Sequence, residues 1–190
     1  GGYKEWGGRD DPTYWALNMN GAYYHPEFST DGIAYNYYSG IEVEAFGITH
    51  DHVNGGYVQV GGQYHNYMTI SKVTATGSAD TGFDTDGEVS FSAVPLCRGS
   101  RVQTDSLGNF VAVGDCSPTN NSANYDMTVW RFQSDGSLDT SFDSDGYFIH
   151  SAAAGGTSQH DRGNDLILDS NGDIYITGES HNDTDYDMVV

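Results

Sequence analysis

From residue 55 onward the chain is a succession of short runs in which apolar and polar residues alternate, each closed by Gly, Asn or Asp. YVQVG (57–61), MTISKV (68–73), FVAVGD (110–115), DMTVWRF (126–132), YFIHS (147–151), DLILD (165–169) and IYITG (174–178) are all of this kind. A period of two predicts β-strands, because alternate side chains of an extended chain point to one face. Helix signals are nearly absent. Asn171-Gly172 between two apolar runs predicts a hairpin with both residues at positive φ in a type I′ turn. Leu107-Gly108 and Asn54-Gly55 occupy the matching place.

The pattern repeats. GSLDTSFDSDG (136–146) is a near copy of GSADTGFDTDG (77–87), 59 residues earlier. Met68, Met127 and Met188 open related runs at spacings of 59 and 61, while Gly61, Gly114 and Gly178 close runs at spacings of 53 and 64. Insertions therefore sit in loops. A weaker copy, YWALNMNGAYYHPEFSTDG (14–32), sets Trp15 opposite Trp130, Phe28 opposite Phe142 and Asp31-Gly32 opposite Asp145-Gly146. A period of this size marks units that bury their apolar faces only by stacking. The chain reads as a single repeat domain, 1–190, with units near 10–67, 68–126 and 127–190, each starting near the second strand of a blade. The expected fold is all-β, with about three four-stranded antiparallel units resembling β-propeller blades; an open stack of sheets and a sandwich are the alternatives.

The phrases GSLDTSFDSDG (136–146) and DSNGDIYITG (169–178) resemble the delta-60 repeat, found in large exported bacterial proteins and read as propeller-forming. The resemblance covers nearly the whole chain, most strongly from Gly55. It implies fold and export, and carries no catalytic motif.

Composition sharpens this. With 14 Tyr, 8 Phe and 3 Trp against 25 Gly and 4 Pro, the chain suits pleated surfaces joined by tight turns. A net charge of −20, from 27 acidic and 7 basic residues, excludes nucleic acid and anionic membrane as natural partners and favours cations. No apolar run approaches the roughly 20 residues of a membrane span, so membrane insertion is not expected. The first residue is Gly1, as in a mature product or an excised segment. Cys97 and Cys116 lie about equally far from the DSLG turn, so a hairpin there sets them opposite or diagonal. A disulfide between them is expected, as in an exported protein.

Candidate chemistry is concentrated in the acidic turns. Asp84 with Asp86, Asp143 with Asp145, and the run Asp169, Asn171, Asp173 present alternate oxygens that suit calcium; without metal the same residues make Asx-turns. His50 and His52 have a spacing that places both imidazoles on one strand face, but His52 falls at the place of Asp105 and Asp169, which makes it a turn residue. Arg98 and Arg162 hold equivalent positions, which suggests structure over substrate binding. Glu42 and Glu44 share a strand face without a surrounding cleft motif. Catalysis is not expected. Asn120 and Asn182 head glycosylation sequons in equivalent loops.

The run DYDMVV (185–190) matches NYDMTV (124–129), so the last unit stops within a strand, and the segment holding Trp15 begins at about the same point. Tyr14, Trp15, Ala16 and Leu17 at one end and Asp187, Met188, Val189 and Val190 at the other are thus expected to complete a sheet, within one molecule or between neighbours. The leading expectation is a non-enzymatic, extracellular or cell-surface structural protein, calcium-stabilised, that forms a homo-oligomer or pairs neighbouring repeats as a filament or surface layer. The alternative is a binding module in a longer chain, recognising glycan or protein through Tyr23, Tyr24, Tyr35, Tyr37 and Tyr38.

Overall fold

The computed structural model of the chain describes residues 2–6, 9–15, 33–35, 43–63, 66–119, 124–157 and 160–190, the first three segments by their backbone. All the regular structure among them is β. A first sheet joins β1 (Gly2–Trp6), β2 (Arg9–Trp15) and β3 (Ile33–Tyr35); a second joins β4 (Val43–His50), β5 (Tyr57–Gln63), β6 (Tyr67–Val73) and β7 (Glu88–Phe91). The third contains β8 (Arg98–Thr104), β9 (Phe110–Cys116), β10 (Asp126–Phe132) and β11 (Tyr147–His150), and the last β12 (Asp161–Leu168), β13 (Ile174–His181) and β14 (Tyr186–Val189). Every pairing within a sheet is antiparallel between chain neighbours, the up-and-down order of a propeller blade. The all-β reading and the four-stranded antiparallel unit both hold.

The boundary between sheets falls elsewhere than the hydrophobic pattern suggests. DLILD does not close one sheet; it belongs to β12, which opens the next. The reason is loop length: a five-residue turn, Asp169 to Asp173, forces β12 and β13 to be neighbours, while the longer connection after His150 spans the step between sheets. The turn is also not of type I′. Gly172 has φ of 86°, and Asn171 is not among the residues with positive φ. Its geometry is a type I turn closed by glycine in the left-handed region.

Each of the last three sheets has a β-bulge at the same place, between Ala45 and Gly47, between Gly99 and Arg101, and between Gly163 and Asp165. The bulge presses the preceding carbonyl against the partner strand. A Cβ on Gly61 would collide with the carbonyl oxygen of Glu44, on Gly114 with that of Arg98, and on Gly178 with that of Arg162. This is why glycine ends each of those runs although their spacings differ: the register to the bulge is conserved between sheets, the loop length is not.

Sheets stack face to face. Alternate residues of β9 point opposite ways: Phe110 and Ala112 pack with Val58, Val60, Met68 and Ile70 of the preceding sheet, whereas Val111 and Val113 pack with Leu166, Ile174 and Ile176 of the following one. Trp130 is fully buried, edge-on to Phe91 at 5.8 Å. The approach is so close that a Cβ on Gly163 would clash with Val113.

Gly114→Ala should therefore cost about 3 kcal/mol in urea unfolding, at the upper end for overpacking. A loss below about 0.5 kcal/mol, the range of neutral surface changes, would show that the bulge relaxes freely.

Candidate functional site

The hairpin turns are tied down by a repeated ion cluster. In β6 the ammonium of Lys72 lies 3.0 Å from a carboxylate oxygen of Asp51 and 3.0 Å from one of Asp80. In β10, 59 residues on, Arg131 lies 2.9 Å from Asp105 and 3.2 Å from Asp139. One cation in the third strand thus joins the turn between the first two strands to the turn before the fourth. Asp51 Oδ1 accepts the N–H groups of Val53 and Asn54, as Asp105 Oδ1 accepts those of Leu107 and Asn109, and Asp169 Oδ1 those of Asn171 and Asp173. The equivalent of Asp105 and Asp169 is therefore Asp51, not His52. The first turn is one residue longer, with Gly55 and Gly56 both at positive φ, so alignment on glycine slips by one. His52 is exposed in that turn. Burial pushes the Asp51 carboxyl up, but the Asn54 N–H, the Lys72 ammonium and the Val53 N–H outweigh it and hold the group below its ordinary value.

The D-x-D-G pairs shape the other turn, and their conformations repeat as faithfully as their letters. Asp84 and Thr85 have φ of 46° and 64°, and Asp143 and Ser144 have 46° and 69°. Asp86 Oδ1 accepts the N–H of Glu88 at 3.0 Å, and Asp145 Oδ1 that of Tyr147 at 3.2 Å. Asp80 and Asp139 receive the N–H groups of Gly82 and Ser141, each at 3.1 Å. The side chains of Asp84 and Asp143 are exposed. Asp80, Asp86, Asp139 and Asp145 make Asx-turns, and Asp169, Asn171 and Asp173 close a turn on themselves. Among the described residues no three His, Cys, Asp or Glu side chains are gathered as a metal would gather them.

The cysteines do meet. Cys97 and Cys116 form a disulfide with Cα atoms 4.1 Å apart, directly across the β8–β9 hairpin next to the Arg98–Asp115 ion pair of 3.0 Å. Arg162 repeats that ion pair with Glu179 at 3.3 Å, so the equivalent arginines are cross-strand struts. Glu44 stands in β4 at the place of Arg98, across from Gly62.

In the last sheet the disulfide has a polar counterpart, which single-residue motifs did not signal but the repeat does. Asp161 and Ser180 face each other on β12 and β13, 64 residues after Cys97 and Cys116. Both are buried, and they accept the N–H groups of Ala152, at 2.6 Å, and Ala154, at 2.9 Å. Asp126, at the start of β10 across from Cys116, approaches Asp161. Burial and the Asp161 charge push its carboxyl up to about 6, opposed by His150. The imidazole of His160 is pushed down by burial and by Arg162.

The outer face of the last sheet is open. Tyr175, Thr177, Met188 and Val190 correspond to Val111, Val113, Met127 and Val129, the residues of the third sheet that face the next one. Met188 is 88% and Val190 90% exposed, against 3% for Val129. β14, with Asp187, Met188 and Val189, pairs with β13 alone, and Val190 follows it. Tyr14 and Trp15, by contrast, lie in the central strand of the first sheet, paired to β1 and to Ala34 and Ile33 of β3. They are no free edge, and the two ends do not share a sheet: β1 already fills the place beside them. Ala16 and Leu17 lie outside the described residues, as do Asn120, Glu42, Tyr23, Tyr24, Tyr37 and Tyr38. Tyr35 is in β3. The Asn182 amide donates to Asp185 at 2.9 Å and Asp187 at 2.8 Å, bonds that a glycan would break.

Two consequences are measurable. Lys72→Met leaves Asp51 charged and buried, which should cost about 3–5 kcal/mol, with Asp51→Asn in the same chain losing less than the sum of the single changes. Asp126 binds its proton more tightly folded than unfolded, so stability in chelator-treated buffer should fall by of the order of 3 kcal/mol as pH rises from about 4 to 6. Asp126→Asn should flatten that slope. Asp51 acts in the opposite sense, and its contribution is lost only as pH falls below about 4.

No curated protein matches the chain. Residues 154–187, which span β12, β13 and the start of β14, match the family model described as SBBP, Beta-propeller repeat. That segment is thus similar to a beta-propeller repeat, and the bulge, the glycine beneath it and the capped turn it contains recur in the two preceding sheets.

Proposed function

We propose that this chain is a non-catalytic structural module that assembles outside the cell by having its last sheet covered and completed by a further sheet of the same repeat. The observation that carries this reading is the open face. Tyr175, Met188 and Val190 are exposed at positions whose equivalents one sheet earlier are packed against the next sheet. Contiguous apolar surface of that kind, beside an edge strand with unpaired backbone groups, is an assembly surface. In the preceding sheets β7 and β11 supply a fourth strand, and a further repeat, in this chain or in a neighbouring one, satisfies both demands here. The disulfide supports an oxidising, extracytoplasmic setting. A filament or surface layer follows if each copy offers such a sheet to the next, since contacts of that kind do not close on themselves.

Light scattering and negative-stain microscopy test this directly. The wild type is expected to form larger particles with rising concentration, and Tyr175→Lys combined with Met188→Lys to stay monomeric with its disulfide intact. Monodisperse wild-type monomers at every concentration would remove the assembly reading.

A further inference from the structure

The third and last sheets secure the same corner by different chemistry. Cys97 and Cys116 are bonded; Asp161 and Ser180, their equivalents, are not, yet both are buried. Asp161 spends Oδ2 on the Ala152 N–H, and Ser180 receives the Ala154 N–H, so the loop 151–157 folds onto the pair. That leaves Asp161 Oδ1 without a partner. Asp126 Oδ1 has none either, on β10, whose preceding residue Tyr125 is bridged to His160. The residues are 2% and 6% exposed, so bulk water does not serve these oxygens.

A buried carboxylate oxygen left without a donor is unfavourable, and two such groups that repel each other are more so. Among the described residues His150 opposes the shift of Asp126, and the nearby arginines are engaged elsewhere. Arg162 is paired with Glu179 and Arg98 with Asp115, while Arg101 pairs with Asp165 further along β12. The backbone at this corner is held in place: the Asp161 N–H donates to the Tyr125 carbonyl at 2.6 Å, tying the start of the last sheet to the start of β10. The two carboxylates therefore cannot separate without breaking the junction between sheets.

We propose that Asp126 and Asp161 bind a calcium ion at this junction, so that an ion clamps the last sheet where a disulfide clamps the one before it. This site is separate from the acidic turns, where Asp86, Asp145 and Asp169 already serve their own backbone. A hard cation suits it because the unpaired atoms are carboxylate oxygens and no third His, Cys, Asp or Glu joins them among the described residues. Backbone carbonyls and water complete the six to eight oxygens calcium needs, with the Ser180 hydroxyl directly across from Asp161. A cavity of about 410 Å³ has Asp161, His150, Ala153 and Arg162 on its wall. With only two carboxylates, affinity belongs in the range of extracellular calcium modules, about 10⁻⁴–10⁻³ M.

Terbium titration of the chelator-treated chain, excited through its tyrosines, tests the site, Tyr125 being adjacent to Asp126. The expected result is saturable emission displaced by calcium and weakened about tenfold or more in Asp126→Asn and Asp161→Asn, with Asp84→Asn and Asp143→Asn unchanged. Asp161→Asn keeps an acceptor for the Ala152 N–H, so it reports on the ion without removing the loop's anchor. As a separate reading, millimolar calcium should raise the Tm of the wild type and leave that of Asp161→Asn unmoved. Terbium emission equal in wild type and Asp161→Asn would overturn the proposal. So would a wild-type Tm that ignores calcium and rises only as pH falls through about 6, because the pair would then be sharing a proton. Neither readout depends on whether the chains assemble.

Discussion

The third sheet of this chain is apolar on both faces, and that single property compels the packing around it. β9 is buried along its whole length, sending Phe110 and Ala112 one way and Val111 and Val113 the other. A strand of that kind has no face to give to solvent, so its sheet needs a neighbour on each side. Stacking then has to be close. Gly163 against Val113 and Gly99 against Val60 show how little space separates the first strand of one sheet from the second strand of the sheet before it. The bulges and the glycines under them are the local means of achieving that approach.

Several of the charges in this stack sit at the rims, in ion pairs that tie turns and hairpins together. Lys72 and Arg131 each join two turns of their own sheet, and Arg98 and Arg162 each brace a hairpin. The high acidic content is consistent with this division, since Asp is the residue that caps turns by accepting backbone N–H groups. Asp126 and Asp161 depart from it, which is why a bound cation is assigned to them and not to the more conspicuous D-x-D-G turns.

The uncovered face of the last sheet and the cation site at its other side describe one element seen twice. Its inner face is packed on the third sheet, its corner sits at the proposed ion, and its outer face and edge are left for a further repeat. The disulfide ties the first two strands of the third sheet, and Asp161 with Ser180 holds the equivalent positions in the last.

Much of this was legible in the residues alone, because side-chain alternation and the 59-residue echo depend only on local geometry and on copying. Strands such as Asp126–Phe132, the pairing of Cys97 with Cys116 and the structural role of Arg98 and Arg162 are of this type. Other features required the folded chain. The sheet boundary before DLILD depends on which loop is short enough to force pairing, the substitution of Asp51 for His52 on one inserted glycine, and the central place of Tyr14 and Trp15 on a first strand with no repeat signature. The meeting of Asp126 with Asp161 lies furthest from the sequence, since it joins two sheets whose separation no local pattern encodes. Periodicity determines what each strand is; only packing between strands distant in the chain determines which charges are left facing one another.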